Sequence, residues 1–183
     1  MAGAALLALL GWRLLRDLPE PALPTRAPGR PAAAVLDGCR LARPVDGDSF
    51  EARCAGRRLR VRLLRIDTPE FGEPGFAEAR RALTGLLREG PFRLEAEGRD
   101  FERDRYGRLL AYAWSARGRL VNEELIRLGW SRFETGFGRG RHADRLLRAE
   151  AEARRARRGL HRLEGVRPDG RGAARPPGRP ALA

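Results

Sequence analysis

Leu41-Ala42-Arg43-Pro44-Val45-Asp46-Gly47-Asp48-Ser49-Phe50-Glu51-Ala52-Arg53-Cys54 (residues 41–54) is the stretch from which the fold can be read. Asp46-Gly47 lies between two strand-like runs, and Asp-Gly is a strong two-residue hairpin signal because both positions tolerate positive φ. Such a turn pairs residues whose numbers sum to 93, so Val45 faces Asp48, Leu41 faces Ala52 and Cys39 faces Cys54. Parity puts Asp48 on the row of Phe50, Ala52 and Cys54, which reads as the inward face of the second strand. From Arg58 to Leu63, Arg alternates with Leu or Val, the mark of a strand with one wet face. Leu63-Leu64 breaks that phase and predicts a bulge or sharp bend.

Downstream, Phe76, Ala79, Ala82, Leu83 and Leu86 recur at helical spacing, and Gly90-Pro91 stops the run. Phe92 to Glu97 and Arg108 to Trp114 read as strands. Asn122 to Leu128 reads as a short helix closed by Gly129, and His142 to Arg158 as a longer one ending at Gly159. Three strands, a helix, two strands and two more helices imply an α+β domain: a small antiparallel barrel with helices packed against it. This domain is expected over residues 35–163. Residues 1–34 hold an apolar start, Met1 to Trp12, and a Pro-rich linker from residue 18; residues 164–183 form an Arg/Pro/Gly-rich tail expected to be disordered.

The chain has 183 residues and a net charge of +13, and all 37 of its basic Lys or Arg residues are Arg. That excess fits a polyanionic partner such as nucleic acid; a general bias toward Arg, Ala, Gly and Pro is the competing explanation. Two cysteines and two histidines, His142 and His161, give neither a zinc framework nor a Cys-His nucleophile pair. The apolar start is too short to span a bilayer as a helix and lacks the basic region of a signal peptide.

The chemistry gathers at the ends of the predicted strands. Asp48 closes a buried row, where an ionised carboxylate is costly unless neutralised. Asp67 ends another strand, and Thr68-Pro69-Glu70 follows at once. Three acids at one barrel mouth repel each other unless a hard cation with oxygen ligands joins them, and Ca²⁺ suits a mixture of carboxylate, carbonyl and water. Arg62 and Arg108 complete the set, because phosphodiester cleavage builds negative charge on oxygens that Arg grips bidentately. Each residue also has a bland reading: a turn, a loop, a solvated strand position, a structural ion pair. It is their combination that points to chemistry.

Val45-Asp46-Gly47-Asp48-Ser49, Val61-Arg62-Leu63-Leu64-Arg65-Ile66-Asp67-Thr68-Pro69-Glu70 and Asp104-Arg105-Tyr106-Gly107-Arg108-Leu109-Leu110-Ala111-Tyr112 resemble the thermonuclease (staphylococcal nuclease-like) family. Val121-Asn122-Glu123-Glu124-Leu125-Ile126-Arg127-Leu128-Gly129 resembles that family's second helix, and the similarity covers about residues 39–161. The resemblance implies a five-stranded OB-type barrel with three packed helices, and a Ca²⁺-dependent endonuclease or exonuclease acting on DNA and RNA to leave 3′-phosphate ends. Carried over, Asp48 and Asp67 would ligate the metal by carboxylate and Thr68 by its carbonyl. Glu70 would serve as general base or orient the attacking water, Arg62 and Arg108 would bind the phosphate and stabilise the transition state, and Arg105 and Tyr106 would lie near the nucleotide.

The chain departs from the family pattern in four places. Ser49 stands where Thr is usual, Arg105 replaces a Lys, Thr135 occupies an aromatic position with Phe137 two residues on, and the Phe71–Gly75 loop is short. The expected partners are DNA and RNA, single-stranded or unstructured by preference; no obligate protein partner is implied and a monomer is expected. The rival reading is an OB-type module that binds nucleic acid or protein without cutting.

Cys39 and Cys54, facing each other across the predicted hairpin, fall at a hydrogen-bonded site with Cα atoms roughly 5.5 Å apart, within disulfide range. Two buried free thiols are the alternative. A disulfide implies an oxidising compartment and so export (periplasmic, secreted or membrane-tethered), against a cytoplasmic alternative. Arg139, Arg141, Arg145 and Arg148 offer either a backbone-tracking surface on the last helix or simply a solvated face.

Overall fold

The computed structural model describes residues 32–136, 138 and 140–163. The apolar segment Met1–Trp12, the linker to residue 31, Phe137, Arg139 and the 164–183 tail lie outside the described residues. Among the described residues no helix is long and apolar enough to cross a membrane.

Among the described residues seven strands and four helices follow in the order β1 (Val35–Pro44), β2 (Ser49–Cys54), β3 (Arg57–Leu63), β4 (Ile66–Asp67), α1 (Phe76–Arg88), β5 (Phe92–Glu95), β6 (Leu109–Trp114), α2 (Val121–Arg127), β7 (Arg132–Phe133), α3 (Ala143–Arg155) and α4 (Leu160–Leu163). Five strands close a barrel in the order β1-β2-β3-β6-β5, with β5 returning to β1, and β4 pairs with β7 beside it. This is the expected five-stranded OB-type barrel with three packed helices, to which α4 adds a single turn. The barrel is not wholly antiparallel, because β3 and β6 run parallel, with Val61 opposite Leu109. A parallel pair needs a long crossover, and here α1 and β5 supply it.

The hairpin differs from a two-residue turn. The register sums to 93 at Arg40–Arg53 and Leu41–Ala52 but to 94 at Arg43–Glu51 and Pro44–Phe50, with a bulge between Leu41 and Arg43. Val45 therefore faces Ser49, whose carbonyl accepts from the amides of Val45 (2.9 Å) and Asp46 (3.2 Å). The Asp46 carboxylate accepts from the Asp48 and Ser49 amides at 2.9 and 2.5 Å, an Asx turn that closes the longer loop. Gly47 is needed for space rather than for positive φ: a Cβ there would stand 2.6 Å from the Ala79 Cβ and 2.9 Å from that of Thr68.

The bulge restores the original register, so Cys39 and Cys54 meet and form a disulfide with Cα atoms 4.3 Å apart. That spacing belongs to a non-hydrogen-bonded pair, not the hydrogen-bonded site counted from the shorter turn.

Inward rows of the barrel fill the core, with Phe50 packed edge-to-face on Phe92 at 5.8 Å and Val61, Leu63, Leu94 and Tyr112 buried around them. Helix α1 adds Ala79, Leu83, Leu86 and Leu87. The expected phase break after Leu63 is a turn in which Arg65 takes φ 63°, and it sends β4 away from the barrel. Buried Asn122 secures that turn: its Nδ2 donates to the Leu64 carbonyl (2.9 Å) and its Oδ1 accepts from the Ala113 amide (3.1 Å). The predicted 142–158 helix ends at Arg155, because the chain turns to bring Gly159 against Gly129, where a Cβ on Gly129 would meet the Arg158 carbonyl at 2.3 Å.

Two stability outcomes follow. Reducing the disulfide, which closes a separation of 15 residues, should lower the unfolding free energy by about 3 kcal/mol, read from urea melts with and without reductant. Asn122→Ala leaves the buried Ala113 amide without its acceptor and the part-buried Leu64 carbonyl without its donor, and should cost about 1–3 kcal/mol, read the same way.

Candidate active site

The loop that ends β1 and opens β2 carries Asp48 inward, where it is 5% exposed. Its Oδ2 accepts from the Thr68 amide (3.1 Å) and the Thr68 hydroxyl (2.9 Å), and the Arg62 Nη1 lies 3.3 Å away. Its Oδ1 accepts from the Ser49 hydroxyl at 3.1 Å. Burial pushes the Asp48 carboxyl up to about 7; Arg62 and Thr68 pull it back, and Asp46 pushes it further.

Arg62 is held by the bend that follows β3. Its Nη1 donates to the carbonyls of Leu63 (2.8 Å) and Ile66 (2.9 Å), while Nη2 lies 4.0 Å from the Asp67 carboxylate. Arg108 is held by a different turn. Asp104 accepts from the Tyr106 and Arg108 amides and from Arg108 Nε at 2.7 Å. Burial raises the Asp104 carboxyl, but the Arg108 hydrogen bonds outweigh it and leave it below its ordinary value. Arg108 Nη1 then donates to the Ser49 hydroxyl at 3.2 Å. Ser49 thus joins the two halves, and Arg62, Asp48, Ser49 and Arg108 form one continuous polar chain.

Arg62 and Arg108 line one cavity of about 630 Å³ together with Arg105, Tyr106, Arg65 and Glu134. Tyr106 is 56% exposed, and the guanidinium groups of Arg105 and Arg108 lie 4.9 and 5.5 Å from its ring centroid. Asp67 and Thr68 line a smaller cavity of about 360 Å³ beside Pro69, Glu73 and Arg132. Glu70 is exposed, and its amide donates to Glu73 Oε2 at 2.8 Å. Among the described residues no side chain hydrogen-bonds the Glu70 carboxylate.

The structure therefore brings Asp48, Thr68, Arg62 and Asp67 into one cluster, and Arg108, Tyr106 and Arg105 line the same cavity as Arg62. Glu70 follows Thr68-Pro69 on the next loop and is not among the residues lining either cavity. Among the described residues no three acidic, His or Cys side chains converge as a metal cage. The donor set still fits a hard cation. Asp48 and Asp67 flank a single guanidinium, which balances one of their two charges, and a second positive charge would relieve the burial cost at Asp48.

Three contributors were not legible in the sequence. The Ser49 bridge and the Thr68 side-chain and amide contacts depend on two distant loops meeting. Glu134 enters the cavity through the β4–β7 pairing, and burial raises its carboxyl. Ser49, a hydroxyl beside the key acid, and Thr68, named from the sequence for its carbonyl alone, left a signal; Glu134 left none. Of the arginines that offered either a backbone-tracking surface or a solvated face, Arg145 pairs with Glu123, and Arg141 Nε lies 3.7 Å from Glu95.

Thr68→Val keeps the shape but removes the hydroxyl donor to Asp48. It should destabilise the protein by about 0.5–3 kcal/mol, measured by chemical denaturation at neutral pH.

The family model described as staphylococcal nuclease homologue matches residues 60–162, which include Arg62, Asp67, Thr68, Glu70 and Arg108 but not Asp48. Protein ParB of Escherichia coli is 36% identical over 142 residues, covering 71% of this chain and 75% of its own length. Endonuclease YncB of Bacillus subtilis (strain 168) is 36% identical over 98 residues, covering 50% of this chain and 46% of its own length. Thermonuclease of Staphylococcus hyicus is 28% identical over 127 residues, covering 66% of this chain and 73% of its own length. The chain thus spans about three quarters of two of these relatives and less than half of YncB.

Proposed function

Because the chain belongs to the staphylococcal nuclease homologue family, we propose that it is a calcium-dependent phosphodiesterase that hydrolyses DNA and RNA and leaves 3′-phosphate ends. The observation that carries this reading is the pair of guanidiniums, Arg62 and Arg108, which line one cavity, are held by separate turns and are linked through Asp48 and Ser49. Two fixed forks of donors suit the non-bridging oxygens of a phosphodiester, whose charge grows in the transition state.

Asp48 and Asp67, with the Thr68 carbonyl, would hold the calcium ion. When bound, the ion would supply Lewis-acid polarisation of the phosphate and a template for its approach. Asp104 keeps Arg108 extended toward the cavity, and the carbonyls of Leu63 and Ile66 do the same for Arg62. Glu70, exposed to solvent at the start of the short loop, takes the proton of the attacking water. The water oxygen bonds to phosphorus as the P–O5′ bond breaks, and the 5′ oxygen leaves as a hydroxyl with a proton from solvent. Tyr106 and Arg105 rest against the nucleotide.

Single-stranded or unstructured nucleic acid is the preferred substrate, and the protein acts as a monomer. The disulfide between Cys39 and Cys54 supports an exported protein, since such bonds persist in oxidising compartments.

Release of acid-soluble nucleotide from single-stranded DNA tests the reading. Wild type should act with calcium and stop with EGTA, and Glu70→Gln should lower the rate about 10²-fold or more. Full activity in Glu70→Gln would remove Glu70 as the base. Binding without any cleavage by wild type would favour the non-catalytic module instead. Calcium at about a hundredfold excess over its dissociation constant should also stabilise the fold by about 2.7 kcal/mol, and Asp48→Asn should abolish that gain.

A further inference from the structure

The outer face of β1, β2 and β3 carries arginines that neither the fold nor the site accounts for. Alternation turns Phe50, Ala52 and Cys54 of β2 and Val61 and Leu63 of β3 inward, leaving Arg53 on β2 and Arg58, Arg60 and Arg62 on β3 to point outward. Register sets Arg40 opposite Arg53 and Arg53 opposite Arg58, so three guanidiniums cross three strands in one row. The next row toward the site is Arg43, Glu51 and Arg60. Glu51, the acid of these two rows, is already shared by Arg43 at 2.8 Å and Arg58 Nε at 2.8 Å. Among the described residues no acid lies within ion-pair distance of Arg40, Arg53 or Arg60, and all three are exposed.

Register, not the mere lack of partners, sets this face apart. Arg88, Arg117 and Arg155 are exposed elsewhere, but here three arginines lie directly opposite one another on adjacent strands. Like charges directly opposite one another weaken a sheet, so folding gains nothing from the row.

The row also leads somewhere. β3 runs from Arg58 through Arg60 to Arg62, the residue that lines the phosphate cavity. Alternate residues of a strand are about 6.7 Å apart, so the three form a ladder about 13 Å long ending at the site. We infer that this face grips the phosphodiester backbone of a single-stranded nucleic acid for several nucleotides to one side of the scissile bond. The inference rests on the nuclease reading for its ligand. A single strand can follow the twist of the sheet, and guanidiniums without interleaved aromatic rings hold phosphates without reading bases.

The test uses the full chain with Arg40→Gln, Arg53→Gln and Arg60→Gln combined, and a labelled twelve-residue oligothymidylate. In EGTA, the slope of log affinity against log salt should shrink by about 2, since each phosphate contact in a single strand contributes about 0.7. With calcium, KM for the twelve-mer should rise about tenfold or more with kcat unchanged, while cleavage of a thymidine dinucleotide, too short to reach the row, should not change. The variant's melting temperature should equal or exceed that of wild type, which separates lost binding from lost fold.

An unchanged salt slope in the folded variant overturns the inference. So does an equal loss of slope on replacing Arg88, Arg117 and Arg155, which are exposed elsewhere. A wild type that cuts neither substrate but shows the row-specific change in slope retires the nuclease reading and leaves this surface standing.

Discussion

Burying a carboxylate costs several kcal/mol unless the fold meets it with donors or opposite charge, and much of the domain around the cavity is arranged to meet that cost at Asp48. The Thr68 amide and hydroxyl, Ser49 and Arg62 all converge on its two oxygens. To bring Thr68 there, the chain must bend after Leu63 and return through β4; to let it close, position 47 must lack a side chain. The same convergence aims Arg62, and through Ser49 it reaches Arg108 as well. A single buried charge thus ties three separate segments into one site. Even so, its carboxyl remains pushed up to about 7, so the protein donors alone do not fully offset burial.

In the proposed reading that residual imbalance gives a cation its physical role. Asp48 and Asp67 share one guanidinium, Arg62, which leaves a net negative spot connected through Ser49 to Arg108. A divalent ion there would lower the cost of Asp48 and draw a phosphodiester in. Stability and catalysis would then depend on the same ion, which is why thermal and kinetic readouts are informative together.

The arginines divide by geometry rather than by number. Several around α2, α3 and the Asp104 turn are absorbed into ion pairs that orient side chains or fasten helices, as Arg108 is with Asp104 and Arg127 with Glu123 and Glu124. Those on the outer face of β1–β3 outnumber their acids and lie in like-charged register. Net charge of +13 is compatible with either arrangement; only pairing distinguishes a structural arginine from one free to meet a ligand.

The sequence by itself determined the order of the barrel strands and the three longer helices, the inward row of Asp48, the bend after Leu63 and the facing cysteines. These depend on local period and turn chemistry, and a period of two in a strand is visible in one dimension. The motifs, through family resemblance, also named Arg62, Asp67, Glu70 and Arg108. Tertiary structure decided the rest. Asp-Gly alone suited a two-residue turn, but the Asx hydrogen bonds of Asp46 and the approach of Ala79 and Thr68 to Gly47 selected a longer loop with a compensating bulge. The parallel β3–β6 pair, the Asn122 tie, the Ser49 bridge and the entry of Glu134 into the cavity likewise join residues far apart in the chain. Contacts of that kind depend on how packed elements close on one another, and no local pattern in the sequence records it.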